Sequence, residues 1–231
     1  MPYWCYIDGA SSKELGLLIP SRAAIPFSKK DMEYIDIEGR DGSLTRDKHR
    51  RLDKVISVSF TVVDFNNMPQ SARTINRWLE GKELKFSDDM DVFYKVKNYE
   101  ADDLERSYKA VGSFKVKFTV DPFNWMEDGR KQVEVSKPGN IFNLANYKSQ
   151  PVIQVYGDGD ITLTINGNAI ELSGVEDNIT IDTAAKLAYK DSTHQNSKMS
   201  GIFPEFQEGS NNIQWTGNVT KLMITPNWRD I

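Results

Sequence analysis

Alternation constrains this chain more than any other feature. Phe114, Val116, Phe118 and Val120 alternate with Ser113, Lys115, Lys117 and Thr119, and Ile56, Val58, Phe60 and Val62 alternate with Ser57, Ser59, Thr61 and Val63. Successive side chains of a strand point to opposite faces, so each run specifies a strand with a core face, and in 113–120 the opposite face is wet. The period returns at Ile161, Leu163 and Ile165, followed by Asn166-Gly167 and then Ala169 to Leu172. Asn-Gly between two such runs is a hairpin signal, because both residues accept the positive φ of the tight turn. Shorter extended pieces are expected at 3–7, 15–19, 34–37, 84–86, 92–96, 152–155, 178–182, 187–189, 212–215 and 219–225. Gly157-Asp158-Gly159-Asp160 joins two strands and reads as a hairpin or sheet-corner turn. Only 68–81 reads as a helix, with Asn67 as its cap, Pro69 in its first turn and Gly81 at its end. Ala72, Ile75, Trp78 and Leu79 then share one apolar face. The fold class is mainly β with one α-helix.

A chain of 231 residues has room for one large domain or two ordinary ones. The texture changes over 135–150, where Asn, Ser, Lys, Pro and Gly gather, and the expected domains are 1–135 and 141–231. A net charge of −4 excludes general nucleic-acid binding. Cys5 stands alone, is expected to pack as a small hydrophobe, and with His49 and His194 cannot build a zinc site. Asp88, Asp89 and Asp91 lack the spacing of a calcium loop and read as a solvated turn. No nucleophile elbow, phosphate loop or dinucleotide fingerprint is present, so no catalytic, cofactor or metal residues are expected. The first sixteen residues have no basic head before an apolar stretch, so export by a signal peptide is not expected, and no apolar run approaches a membrane span.

The stretch from Glu33 to Phe60 does not suit a core. Gly39-Arg40-Asp41-Gly42-Ser43 is a turn, after which Arg40, Arg46, Lys48, Arg50, Arg51 and Lys54 face only Asp41, Asp47 and Asp53. A basic segment between two extended pieces is too polar to bury, so it projects. Two readings stay open: an arm received by another subunit, or a solvated loop.

Several segments together carry a resemblance. EGRDGSL followed by VISVSF, the opening IDGASSKELGLLI, the closing DPFNW, then ANYKSQPVIQVYGDGDITLTINGNAIEL and GIFPEFQEGSNNIQWTGNVTKLMITPNWR stand in an order and spacing similar to the siphophage distal tail protein family. The resemblance covers nearly the whole chain. It implies an N-terminal β-sandwich-like ring domain with one helix and a C-terminal galectin-like or carbohydrate-module-like β-sandwich, with 226–231 returning to the first domain. It further implies a virion structural protein at the tail tip (baseplate), encoded by a siphovirus or a resident prophage. Copies would form a homo-hexamer joining the tail-tube protein to the tail-associated lysin or fibre hub, with genomic DNA passing through the lumen. On this reading Arg40, Arg46, Lys48, Arg50, Arg51 and Lys54 reach the neighbouring subunit or line the ring. The alternative is a glycan-binding adhesion module, with Trp215 and Tyr189 as stacking candidates beside Trp228 and Tyr156. Core packing is the competing role for Trp215.

Overall fold

The structure is a computed structural model and describes residues 3–62, 68–103, 105–108 and 111–231. The chain divides into two compact units, Met1–Asn124 with Ile231, and Trp125–Asp230.

In the first unit the strands are β1 (Cys5–Ile7), β2 (Ala10–Ser11), β3 (Leu17–Leu18), β4 (Lys29–Ile35), β5 (Leu44–Leu52), β6 (Lys54–Val62), β7 (Glu83–Phe86), β8 (Asp89–Ala101), β9 (Glu105–Tyr108) and β10 (Val111–Val120), with α1 (Met68–Leu79) after β6. The sheet runs β2-β1-β7-β8-β10-β6-β3, with β9 added to β10. The two alternating runs found in the sequence are neighbours: Phe114 lies opposite Phe60, Val116 opposite Val58 and Phe118 opposite Ile56. Their apolar faces are buried, and Ile75 and Leu79 of α1 close over them. Phe60 stacks on Phe114 with 5.2 Å between centroids and meets the edge of Trp78 at 5.9 Å. Ala72 of the expected helical face is exposed, and Asn67, the expected cap, lies outside the described residues. Cys5 is fully buried, and burial pushes its thiol up to about 12, so it packs as an inert hydrophobe.

The second unit begins with β11 (Asn124–Met126), whose first residue closes the first unit, and continues with β12 (Val133–Val135), β13 (Gly139–Asn143), β14 (Val152–Ile165), β15 (Asn168–Val175), β16 (Asn178–Asp182), β17 (Leu187–Lys190), β18 (Thr193–His194), β19 (Met199–Gly201), β20 (Gly209–Thr225) and β21 (Arg229–Asp230). Two long strands organise it. β14 and β20 pair along most of their lengths, from Val152 opposite Thr225 to Ile165 opposite Ile213. The first half of β14 carries β16, β17 and β18 on its other side, whereas the second half carries β15 and β19. Side chains of both halves, among them Ile153, Val155, Ile161, Leu163, Leu172, Ile181, Ile213, Leu222 and Ile224, share one core. The architecture is a β-sandwich whose two layers share their longest strands.

Three sequence expectations change here. Gly157–Asp160 is the sheet corner of its two sequence readings, but it does not separate two strands: it is a bulge inside β14, where the register shifts. A Cβ on Gly157 would lie 2.1 Å from the carbonyl oxygen of Asn218, and one on Gly217 2.4 Å from that of Asp160, so the bend depends on two backbones meeting without side chains. For the same reason 212–215 and 219–225 are one strand, bent at Gly217. Finally, the expected boundary at 135–150 lies inside the second unit, because β13 within it and β12 at its edge both pair with β20. The second unit starts at Trp125, ahead of the 141 expected from composition. Of 226–231, only Ile231 groups with the first unit. Trp228 packs on Phe206 at 5.6 Å, and Arg229 is buried over the rings of Trp125 and Tyr147.

Candidate assembly interface

Among the described residues, β4 and β5 pair only with each other and form a separate two-stranded sheet. The segment read as a charged excursion is thus the second strand of a hairpin, because Leu44 to Leu52 finds a ladder of its own in Lys29 to Ile35. Gly39 and Gly42, at φ of 80° and 76°, make the reversal beyond the strands.

Charge decides how the hairpin holds together. Residues 29–52 contain seven Lys or Arg and six Asp or Glu, so the arm carries a formal charge of only +1. Both strands carry both signs, and opposite charges meet across them. Arg46 faces Glu33 at 3.9 Å, and Lys30 faces Asp47 at 3.7 Å. Between these pairs the register shifts, His49 takes a φ of 56°, and its N–H donates to Asp47 Oδ1 at 2.7 Å. That hydrogen bond, more than any charge, holds the Asp47 carboxyl below its ordinary value. At the bulge Asp31 is 9% exposed and receives Arg50 Nε at 2.6 Å, with Lys48 Nζ at 3.8 Å. Arg51 donates to the carbonyl oxygen of Ser28 at 3.1 Å. Arg40 is exposed beside the turn, where its N–H donates to the carbonyl of Ile37.

Lys54 requires a correction. Grouped with the arm by sequence, it opens β6 in phase with Ile56, Val58, Phe60 and Val62 and is 3% exposed. It is a core-facing residue of the first unit and has no surface to offer a partner.

What the arm does offer is apolar. Tyr34 is 68% exposed, and Ile35, Ile37 and Leu44 are exposed with it near the tip, while Phe27 at the base is 90% exposed. Ile35 lies directly opposite Leu44, so the two form one side of the tip, and Tyr34, opposite Thr45, lies on the other. An isolated two-stranded hairpin is marginal in water, and this one exposes its best apolar side chains. Sequence reasoning noticed the cations and missed these residues. Their signal was Tyr34, Ile35, Ile37 and Leu44 flanking a turn in a segment otherwise too charged to bury.

The glycan candidates are not brought together. Trp215 is half-buried, in step with Ile213 on β20 and packed against the second core. Tyr189, also half-buried, lies on β17 opposite Thr180, on the other half of the sandwich. Trp228 is buried, and Tyr156 carries Lys221 over its ring at 5.5 Å. No cluster of acid, His and Cys side chains able to hold a metal occurs among the described residues, and none of their helices is long and apolar enough to cross a membrane.

Comparison with known proteins gives one kind of match. No protein-family model matches the sequence, and no curated protein matches it. Among solved structures, the crystal structure of SPP1 Dit (gp 19.1), described as a paradigm of the hub adsorption apparatus of phages that infect Gram-positive bacteria, is similar over 100% of this chain and 100% of its own. The TM-score is 0.75 and the sequence identity 10%. The chain therefore shares the fold of Dit over its full length, at little sequence identity.

Proposed function

We propose that this chain is a structural protein of a phage tail tip, and that its copies close into a hexameric ring joining the tail tube to the tail-associated lysin or fibre hub. The observation that carries this reading is the likeness to SPP1 Dit over the full length of both chains. A fold alone assigns no function, but the arm gives it physical support. A side-by-side ring requires each subunit to present two different, complementary surfaces. A hairpin with Lys30, Arg46, Lys48 and Arg50 paired internally and Tyr34, Ile35, Ile37 and Leu44 turned outward suits insertion into a neighbour better than contact with DNA, whose backbone selects for unpaired cations. DNA passing the lumen would meet a wetter surface, such as the outer face of β6 and β10 with Ser57, Ser59, Thr61, Lys115 and Lys117.

Mass photometry with negative-stain imaging across a concentration series tests the reading. Six-fold rings are expected for the unaltered chain. The double variant Tyr34→Ser/Ile35→Ser is expected to keep the monomer fold and to need at least tenfold more protein for rings, about 1.4 kcal/mol per contact. Charge reversal at Arg50 and Arg51 is expected to weaken rings less, by disturbing the shape of the arm. An unaltered chain that stays monomeric, alone and with the tail-hub protein of the same genome, would overturn the proposal.

A further inference from the structure

Lys54 is the one described lysine that the first unit buries in its core, and its surroundings are those of a reagent. On β6 it continues the buried row Ile56, Val58, Phe60 and Val62, directly opposite Val120 of β10. Its Nζ lies over the Tyr94 ring, 5.3 Å from the centroid, and Tyr94 is itself buried. The chain leaves β10 through Asp121-Pro122-Phe123, a turn held by the Phe123 N–H on Asp121 Oδ1 and by the Asp121 N–H on the carbonyl of Lys95. That turn delivers the side-chain amide of Asn124, and Lys54 Nζ meets Asn124 Oδ1 at 2.5 Å.

An ammonium needs water or a full negative charge around it. Here it has an aromatic face, one amide and the field of Asp121. Burial is the larger effect and lowers the amine to about 8, with Asp121 acting in the opposite sense. A measurable fraction is therefore free base near neutral pH, the form in which a desolvated lysine is a nucleophile. The electrophile is adjacent, since an amine in contact with an amide oxygen lies one bond from its carbonyl carbon. Held in that geometry for the lifetime of the fold, a slow amide exchange becomes a unimolecular step.

We propose that Lys54 and Asn124 react to form an intramolecular isopeptide bond that staples the start of β6 to the start of β11. The buried Lys54 ammonium gives up a proton to water, and the Nζ lone pair attacks Asn124 Cγ to form the new C–N bond. The Cγ–Nδ2 bond then breaks as a proton of the attacking nitrogen passes to the departing one, which leaves as ammonia and takes up the proton released to water. No oxidant, reductant or cofactor enters the balance. The product is a neutral amide in place of a buried cation, so the reaction removes the desolvation cost that the unreacted lysine carries. It also closes the chain between 54 and 124, so the part of this unit from β6 to β10 cannot be drawn out from end to end. That property suits a protein under mechanical load, but the chemistry does not depend on the proposed ring.

Intact-mass spectrometry of the purified full-length chain is the test. The expected mass is about 17 Da below that of the sequence, one ammonia lost, with a branched Lys54–Asn124 peptide after digestion. Lys54→Met and Asn124→Ala are each expected to restore the sequence mass. An unaltered, folded chain at its full sequence mass would overturn the proposal. So would a 17 Da loss that persists in Lys54→Met, which would assign it to cyclisation of an asparagine.

Discussion

The β4–β5 hairpin and the β14–β20 ladder are both long antiparallel pairs, built on opposite principles. The ladder buries side chains on the inner face of each half, and its polar residues are satisfied individually. Asn211, fully buried, accepts from the Gln207 N–H and from Asn166 Nδ2 and donates to the carbonyls of Gln207 and Gly209. The hairpin buries almost nothing except Asp31, holds its strands with solvent-facing ion pairs, and leaves its large apolar side chains in water. The first arrangement stabilises its own chain. Exposed ion pairs contribute 1 kcal/mol or less each, so the second is stable enough to hold a shape and leaves most of its apolar surface for another molecule.

This contrast can be broken at several points. The largest effect is expected for Phe206→Ala, which empties a fully buried ring site against Trp228 and should cost about 4 kcal/mol in urea unfolding. Gly157→Ala drives a methyl into the Asn218 carbonyl at the corner of β14 and should cost about 3 kcal/mol, because backbone and not a side chain must yield. In the arm the same measurement should barely respond. Arg50→Ala leaves Asp31 with Lys48 still near and should cost about 1 kcal/mol or less. A loss above about 3 kcal/mol there would mean that the hairpin supports the fold of the first unit, and the contrast would fail.

The smallest effect concerns pH. The Asp47 carboxyl titrates below its ordinary value because it accepts the His49 N–H, so the bulge gains its stability above the usual carboxylate range and loses it as pH falls through the lowered value. Hydrogen exchange at His49 should be pH-independent, after correction for intrinsic rates, from neutrality to about pH 5 and rise below about pH 4. Exchange unchanged at pH 3 would show that the ladder, not the carboxylate, holds the bulge.

Much of this architecture is legible in the sequence because it is local. Alternation at 114–120 and 56–62 specified two strands and their buried faces, and they proved to be partners. Asn166-Gly167 specified a turn, and both residues take positive φ, at 51° and 82°. The helix at 68–79 followed from its flanking Pro and Gly and its apolar spacing. The candidate interface was half legible: the excess of charge marked a segment that could not be core, and the apolar tip was overlooked because each of its residues looks ordinary alone.

What the sequence determined by itself, then, is periodicity, turn chemistry and the exclusion of charged segments from the core, since each depends on residues within a few positions of one another. Only the tertiary structure decided which cations are spent and which strands are continuous. Arg50 is neutralised by Asp31, nineteen residues away, and Lys54 is drawn into the core beside Asn124, seventy residues away. Gly157 and Gly217 bend two strands without ending them because each backbone lies against the other. These outcomes depend on which distant groups meet, and a charge or a glycine has no fixed role until its neighbours are in place.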